Sequence, residues 1–329
     1  MPKIKIGQIG TNHGHAAGKL ASYRKSTEFE VVGLVEPNPE LRRKADASPD
    51  FRDVPSMTIE QLLNVPGLQA VAIETQPRHL LEHAETCVSA GFHIHLDKPA
   101  GVSLPHFRRI LDAAARKHLC VQMGYMYRYN PAIVLLKEMI QKGFLGDPFE
   151  VHCVMSKVVD NPNRLQNAEY SGGIMFELGC HVIDIVVDLL GQPESVMPVF
   201  QHAGPQNDGL NDNMLAVFTY PKAIASVKSS ALEVDGFARR HIVVCGTGGT
   251  VHIEPLDSPK FVRVTLSKER SKYQEGRQEV AVEPFTRYVA DATDFAKVIR
   301  GEKMFDWPVT HDLAVQETVL RASGMPIDH

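Results

Sequence analysis

No stretch of this 329-residue chain approaches the roughly 18 consecutive apolar residues that a bilayer-spanning helix needs, so a membrane protein is not expected. Charge of one sign is also scarce. Lys and Arg number 35 against 39 Asp and Glu, the net charge is −4, and neither sign forms a long run. Binding to nucleic acid or to an anionic lipid surface calls for a concentrated basic patch, so neither is an expected partner. The five cysteines, Cys87, Cys120, Cys153, Cys180 and Cys245, are scattered and form no Cys-x-x-Cys pair. They read as reduced, mostly buried thiols of a cytoplasmic protein. Met1-Pro2-Lys3-Ile4 runs straight into a strand pattern, so a secretory leader is not expected. Repeats and low-complexity linkers are missing too.

What is present is a core-forming composition, 43% hydrophobic, arranged in two textures. Up to about Val121, apolar runs at 3–9, 29–35, 70–74, 92–96 and 119–123 alternate with helical patterns such as 78–90 and 104–117. That alternation implies a doubly wound parallel sheet, an α/β architecture. After Gly146-Asp147-Pro148, strand patterns at 149–157, 214–220, 223–232, 241–244, 250–253 and 262–267 follow one another through short turns. They predict an α+β domain with a large, mostly antiparallel sheet. A last helix is expected at 312–322. The expected division is 1–122, a Rossmann domain; 123–304, a substrate and oligomerisation domain; and 305–329, a helix returning to the first domain.

The first strand ends in Gly10-Thr11-Asn12-His13-Gly14-His15, and a helix pattern follows. A strand, a glycine turn and a helix start present free N–H groups and a positive dipole end to a phosphate. Only Gly10 keeps the register of G-x-G-x-x-G; Asn12 and His15 stand at the second and third glycine positions. Glu36 closes the second strand, where a dinucleotide fold places its ribose-binding carboxylate. A carboxylate suits the paired hydroxyls of NAD and repels the extra phosphate of NADP. Arg42 and Arg43 nearby leave NADP the less favoured choice.

Two further segments carry chemistry. In His95-Leu96-Asp97-Lys98-Pro99, a proline stiffens the end of a strand, so the Lys98 ammonium is aimed beyond it, where open parallel sheets bind ligands. In Gly172 to Asp184, Glu177 and His181 stand four apart on a helix, with Asp184 near the same face. A carboxylate one turn from an imidazole orients the ring, which makes His181 a candidate proton acceptor.

Taken together, the chain resembles the glucose–fructose oxidoreductase / inositol dehydrogenase / MocA family of nicotinamide-dependent sugar and cyclitol oxidoreductases. Asp97-Lys98-Pro99 resembles its Glu-Lys-Pro signature. Residues 121–131 (VQMGYMYRYNP) resemble the start of its crossover helix. Residues 172–184 resemble its catalytic helix, and Asp306-Trp307-Pro308-Val309 its C-terminal return. The resemblance implies that Lys98 contacts the nicotinamide ribose and the reacting hydroxyl, and that His181 is the acid/base. Glu177 stands where the family has Asp, one carbon–carbon bond (about 1.5 Å) longer, so it either orients His181 or meets a substrate hydroxyl. Thr75-Gln76-Pro77 resembles the loop beneath the nicotinamide, and Met126 and Tyr127 match positions near nicotinamide and substrate. Arg128 reads as a helix anchor. Expected cofactor contacts are therefore Gly10, Thr11, Asn12, His13, Glu36, Thr75, Gln76, Pro77, Lys98 and Met126. Tyr127, Lys157, Asn161 and Arg164 are expected to meet the substrate, a sugar, polyol or sugar acid. A homodimer or homotetramer through the second domain is also implied.

The reaction expected is hydride transfer between nicotinamide and a secondary hydroxyl. The alternatives are a lyase or glycosidase that keeps NAD bound through an internal redox cycle, and a non-catalytic cofactor-binding regulator on the same fold. No metal ligand is expected. His79-Leu80-Leu81-Glu82-His83 fits the H-x-x-E-H zinc pattern but opens a helix the dinucleotide fold needs. His93 and His95 share a strand face without a third ligand. Gly246-Thr247-Gly248-Gly249 reads as a hairpin turn rather than a phosphate loop.

Overall fold

The computed structural model describes residues 2–328. The chain divides into two compact units: 2–125 with 286–313 and 328, and 126–285 with 314–327.

The first unit holds strands β1 (Ile4–Ile9), β2 (Phe29–Val35), β3 (Leu68–Ile73), β4 (His93–Leu96) and β5 (Val121–Met123). All its strand pairs are parallel, in the order β2-β1-β3-β4-β5. β3, LQAVAI, is buried at every position but Gln69, as a strand covered on both faces must be. The helices are α1 (Ala16–Lys25), α2 (Pro39–Ala47), α3 (Ile59–Leu63), α4 (Pro77–Ser89) and α5 (Leu104–Arg116). Their starts are local chemistry. Asn38 accepts from the N–H groups of Glu40 and Leu41, Ser103 accepts from His106, and prolines open α2 and α4. β1 lies between β2 and β3, so the chain leaves it in opposite directions along the sheet. The ends of β1 and β3 therefore flank a switch point, the place where such sheets bind ligands.

The second unit holds a 3₁₀ segment, Met126–Tyr129, then α6 (Pro131–Gln141), β6 (Pro148–Val154), α7 (Asn161–Ala168), a π-helical turn at Met175–Gly179 and α8 (Cys180–Leu190). β7 (Ser195–Gln201), β8 (Asn213–Thr219), β9 (Ile224–Ser230), α9 (Gly236–Arg239), β10 (His241–Gly246), β11 (Gly249–Ile253), β12 (Phe261–Leu266) and β13 (Gly276–Ala281) complete it. The eight strands run β13-β12-β11-β10-β6-β9-β8-β7, antiparallel except for β6 with β9. Apolar α8 is buried at Cys180 through Val187. The fold class matches the expectation, and Gly246–Gly249 is the hairpin turn between β10 and β11.

Several elements differ from expectation. β7 and β13 were not expected; both are sheet edges whose exposed positions weaken any two-residue period. α7, capped by Asp160, lies where no helix was expected. The chain re-enters the first unit at 286 rather than 305, through α10 (Val289–Ile299), whose Phe295 is buried in that unit's core and whose Asp291 lies 3.5 Å from the ammonium of Lys19. The final helix, α11 (Val309–Ala322), belongs to the second unit from residue 314 onward.

Candidate active site

In the first unit the glycine turn is built as a close approach. Gly10 has φ +96°, and a Cβ there would sit 2.6 Å from the Glu74 carbonyl oxygen, so only glycine fits. Glu36 then locks the turn. Its Oε2 accepts from the Thr11 N–H (2.8 Å) and hydroxyl (2.7 Å), and its Oε1 from the Asn38 N–H (3.0 Å). A carboxylate offers about four acceptor positions, so one is left for a ribose hydroxyl. Asn12, Glu36, Thr75, Gln76, Arg78 and His79 line a cavity of about 600 Å³ at this end of the sheet. That is the volume range of small-molecule sites. Pro77 sits at the start of α4 with Gln76 as its N-cap. A dinucleotide fits these residues: a turn too tight for any side chain, a carboxylate with spare capacity, and an open cavity.

Lys98 follows β4 and is 2% exposed. Its neighbour Asp97, fully buried, is met by two imidazoles. His13 pairs with Oδ2, and His15 Nδ1 lies 3.1 Å from Oδ1. Burial alone would raise the Asp97 pKa; the charges and hydrogen bonds of His13 and His15 overcome this and hold it well below the usual carboxylate range. Burial lowers His15 to about 4 against the pull of Asp97, with His13 and Lys98 lowering it further. Burial thus works against a charge on His15, while its Nδ1 faces Asp97. Glu74, fully buried beside them, is pushed the other way by burial and by the Asp97 charge. Further in, Lys19 pairs with His95, whose Nδ1 meets Gln122 at 2.8 Å. His93 accepts from the Cys120 N–H. Both strand histidines are thus satisfied within the fold.

In the second unit, His181 opens α8 and is 3% exposed. Tyr127 meets its ring edge-on, at 5.5 Å between centroids. The Tyr127 hydroxyl donates to Asp257 at 2.7 Å, and Arg240 holds the other oxygen of Asp257 at 3.0 Å. Glu177 lies in the π-helical turn that precedes α8. Asp184 is spent elsewhere: Arg128 grips it through Nε (3.0 and 3.1 Å) and Nη2 (2.6 Å), which makes Arg128 the expected helix anchor. Met126 is buried in the 3₁₀ segment, Lys157 is half-buried with its N–H on the Ser230 carbonyl, and Asn161 is exposed at the first position of α7.

Arg164 corrects an expectation. It points inward from α7, 1% exposed, with Nε on Asp208 (2.6 Å) and Nη2 on Asp212 (2.8 Å). Two carboxylates hold this guanidinium, which ties α7 to the loop before β8 and buries a side chain expected to be open to a substrate. The sequence pattern missed Asp257 and Arg240 because each is far from Tyr127 along the chain. It also missed the meeting of His15 with Asp97, 82 positions apart. The H-x-x-E-H residues form no metal-ligand cluster; among the described residues the three-ligand group is His13, His15 and Asp97.

Residues 4–125 match the profile of the oxidoreductase family with an NAD-binding Rossmann fold, and residues 133–252 match the GFO/IDH/MocA C-terminal domain. This chain belongs to the GFO/IDH/MocA family. Its membership makes it an oxidoreductase with an NAD-binding first domain, as the glycine turn and Glu36 led us to expect. Among its relatives, 1,5-anhydro-D-fructose reductase of Ensifer adhaerens is 23% identical over 84% of this chain and 83% of that protein. The trans-1,2-dihydrobenzene-1,2-diol dehydrogenase of Bos taurus is 24% identical over 71% of this chain and 72% of that protein. A levoglucosan dehydrogenase solved with NADH and levoglucosan shares the fold at TM-score 0.81 and 19% identity, covering 98% of both chains. No helix among the described residues is long and apolar enough to cross a membrane.

Proposed function

We propose that this GFO/IDH/MocA protein moves a hydride between an NAD-type cofactor and a secondary hydroxyl of a sugar, cyclitol or sugar acid. The observation that carries the reading is Lys98, a buried ammonium at the end of a parallel strand, in the unit whose glycine turn is locked by Glu36. The cofactor, when bound, supplies the hydride chemistry. Gly10, Thr11, Asn12, His13 and Glu36 hold its diphosphate and ribose end; Thr75, Gln76, Pro77, Lys98 and Met126 hold the nicotinamide end.

The rest is the work of the chain's own residues. His181 accepts the hydroxyl proton during oxidation and returns it during reduction. Lys98 stabilises negative charge as it develops on the oxygen. Glu177 orients His181, and the Tyr127–Asp257 hydrogen bond fixes the aromatic wall against which the imidazole stands. Lys157 and Asn161 supply polar contacts to the substrate. The NAD preference over NADP follows from Glu36, whose negative charge beside the turn repels a second phosphate. The activities named for the anhydrofructose reductase and the levoglucosan dehydrogenase support a carbohydrate substrate. Half-buried Leu215 and Val217 share one face of the second unit's sheet with exposed Met197, Val199 and Ile224, which supports a homo-oligomer assembled through that face. Five free thiols fit a reducing compartment such as the cytoplasm.

The test is His181→Ala assayed against a panel of sugars, inositols and sugar acids. Turnover should fall about 10²–10⁴-fold, the usual contribution of a positioned acid/base, while NADH affinity by fluorescence stays unchanged. Full turnover in the variant would remove His181 from the reaction.

A further inference from the structure

The hydride chemistry does not use the whole of the cluster beneath the glycine turn. His13 and His15 both aim Nδ1 at Asp97, one on each carboxylate oxygen. One donor atom from each of the three residues lies within 4.8 Å of the others. His13 and Asp97 are buried and His15 is half-buried, so water does little to solvate the group. A second carboxylate stands against it. Glu74 is 0% exposed, and neither of its oxygens meets a donor at hydrogen-bond geometry. Two buried carboxyl groups side by side place oxygen ligands where water does not reach them.

We infer that His13, His15 and Asp97 form a binding site for a zinc-class divalent ion. Two imidazoles and a carboxylate are a common donor set for such ions, and three protein ligands leave a position open for water or another ligand. The ion would take the place of the imidazole contacts on the two oxygens of buried Asp97 and draw all three side chains to one centre. Two of its three ligands lie on the turn that follows β1, so a bound ion ties that turn to the end of β4. Ordinary surface histidines do not reproduce this. His79 lies 4.0 Å from Glu82 on α4 but both are more than half exposed, and His152, His241 and His252 lie ring to ring on the second unit's sheet without meeting as ligands. His13 is also a proposed cofactor contact, so the test uses the cofactor-free chain and needs no substrate.

The full chain, stripped with chelator, is titrated with Zn²⁺ by calorimetry and with Co²⁺ by visible absorption. One equivalent should bind per chain, with Co²⁺ giving the d–d bands of a low-coordinate site. His15→Ala and Asp97→Asn should each weaken Zn²⁺ binding by about a hundredfold or more, whereas His241→Ala should leave it unchanged. Thermal melting of each metal-free variant establishes that it folds; if Asp97→Asn does not, His15→Ala and His13→Gln decide the matter. Absence of saturable binding in the parent chain would overturn the site, as would undiminished binding in His15→Ala, which would place the ion on surface histidines. In that case the cluster is a hydrogen-bonded brace for the turn.

Discussion

The two units bury charge in different currencies of proton affinity. The first gathers His13, His15, Glu74, Asp97 and the Lys19–His95 pair, and burial with neighbouring charges displaces His15, His95 and Asp97 downward and Glu74 upward from their ordinary pKa values. The second uses guanidinium pairs: Arg128 with Asp184, Arg164 with Asp208 and Asp212, and Arg240 with Asp257. Arginine does not titrate in proteins, and its fork grips a carboxylate at two points. The second unit is therefore braced by cations that pH does not alter, whereas the first is braced by groups whose charge depends on burial and on their neighbours. That division suits the roles proposed above, a first unit that meets an anionic cofactor and a second that holds one imidazole still.

The largest effects should come from the two residues the proposal assigns to one hydroxyl, one from each unit. Lys98→Met and His181→Ala are each expected to lower turnover by about 10²–10⁴-fold. If they serve the same oxygen, the double variant should lose little more than the worse single one, since groups that act as a unit are strongly non-additive. Multiplicative losses in steady-state turnover would separate the two residues and break the proposed site.

Stability should divide the units next. Asp184→Ala leaves Arg128 charged and buried, which should cost about 3–5 kcal/mol in denaturant unfolding. Asp97→Asn takes a charge from two imidazoles rather than from a guanidinium, so its cost should be nearer the 1–3 kcal/mol of a lost buried hydrogen bond. Equal losses would mean that the imidazole cluster is as permanently charged as the guanidinium pairs.

A pH series sharpens the same contrast. Glu74 has its pKa raised well above the usual carboxylate value in the folded chain, by burial and then by Asp97. The folded state thus binds a proton that the unfolded state has released. Its contribution is fully present below the unfolded pKa and is lost as pH rises toward the folded one, by up to about 1.4 kcal/mol per pH unit. Glu74→Gln removes this dependence, so the variant should gain on the parent as pH rises from about 5 upward. Asp97, shifted down, has the opposite sign and acts only in acid, below its unfolded pKa. Parallel stability curves for Glu74→Gln and the parent would show that Glu74 is ionised in the fold.

How much of this was legible in the sequence follows from the range of the signal. The parallel sheet, Gly10, Glu36, the strand-end position of Lys98 and the hairpin at 246–249 were all readable, because each depends on residues close in sequence. β7, with exposed Met197 and Val199 and a central proline, lacks the contrast between faces that marks a strand. The π-helical turn at 175–179 adds a residue to a helix that a regular period describes as continuous. Arg164 was misread because a polar residue in a polar stretch gives no hint that two aspartates some forty positions on will bury it. His15 and Asp97 were each visible, but no pattern of spacing announces that they touch.

The finest comparison sets two hydroxyls side by side. Thr11 and Tyr127 each donate to a carboxylate at 2.7 Å, Thr11 to Glu36 in the first unit and Tyr127 to Asp257 in the second. Thr11→Val and Tyr127→Phe remove one such bond each, at about 1.5 kcal/mol for a bond to a charged group, roughly a tenfold effect. Their readouts should not overlap. Thr11→Val frees one side of Glu36, so NADH affinity should fall about tenfold while turnover at saturating cofactor holds. Tyr127→Phe loosens the ring beside His181, so turnover should fall by a similar factor with NADH affinity intact. A loss of cofactor affinity in Tyr127→Phe would mean that the second unit's brace also shapes the dinucleotide site, and the division of labour between the units would have to be redrawn.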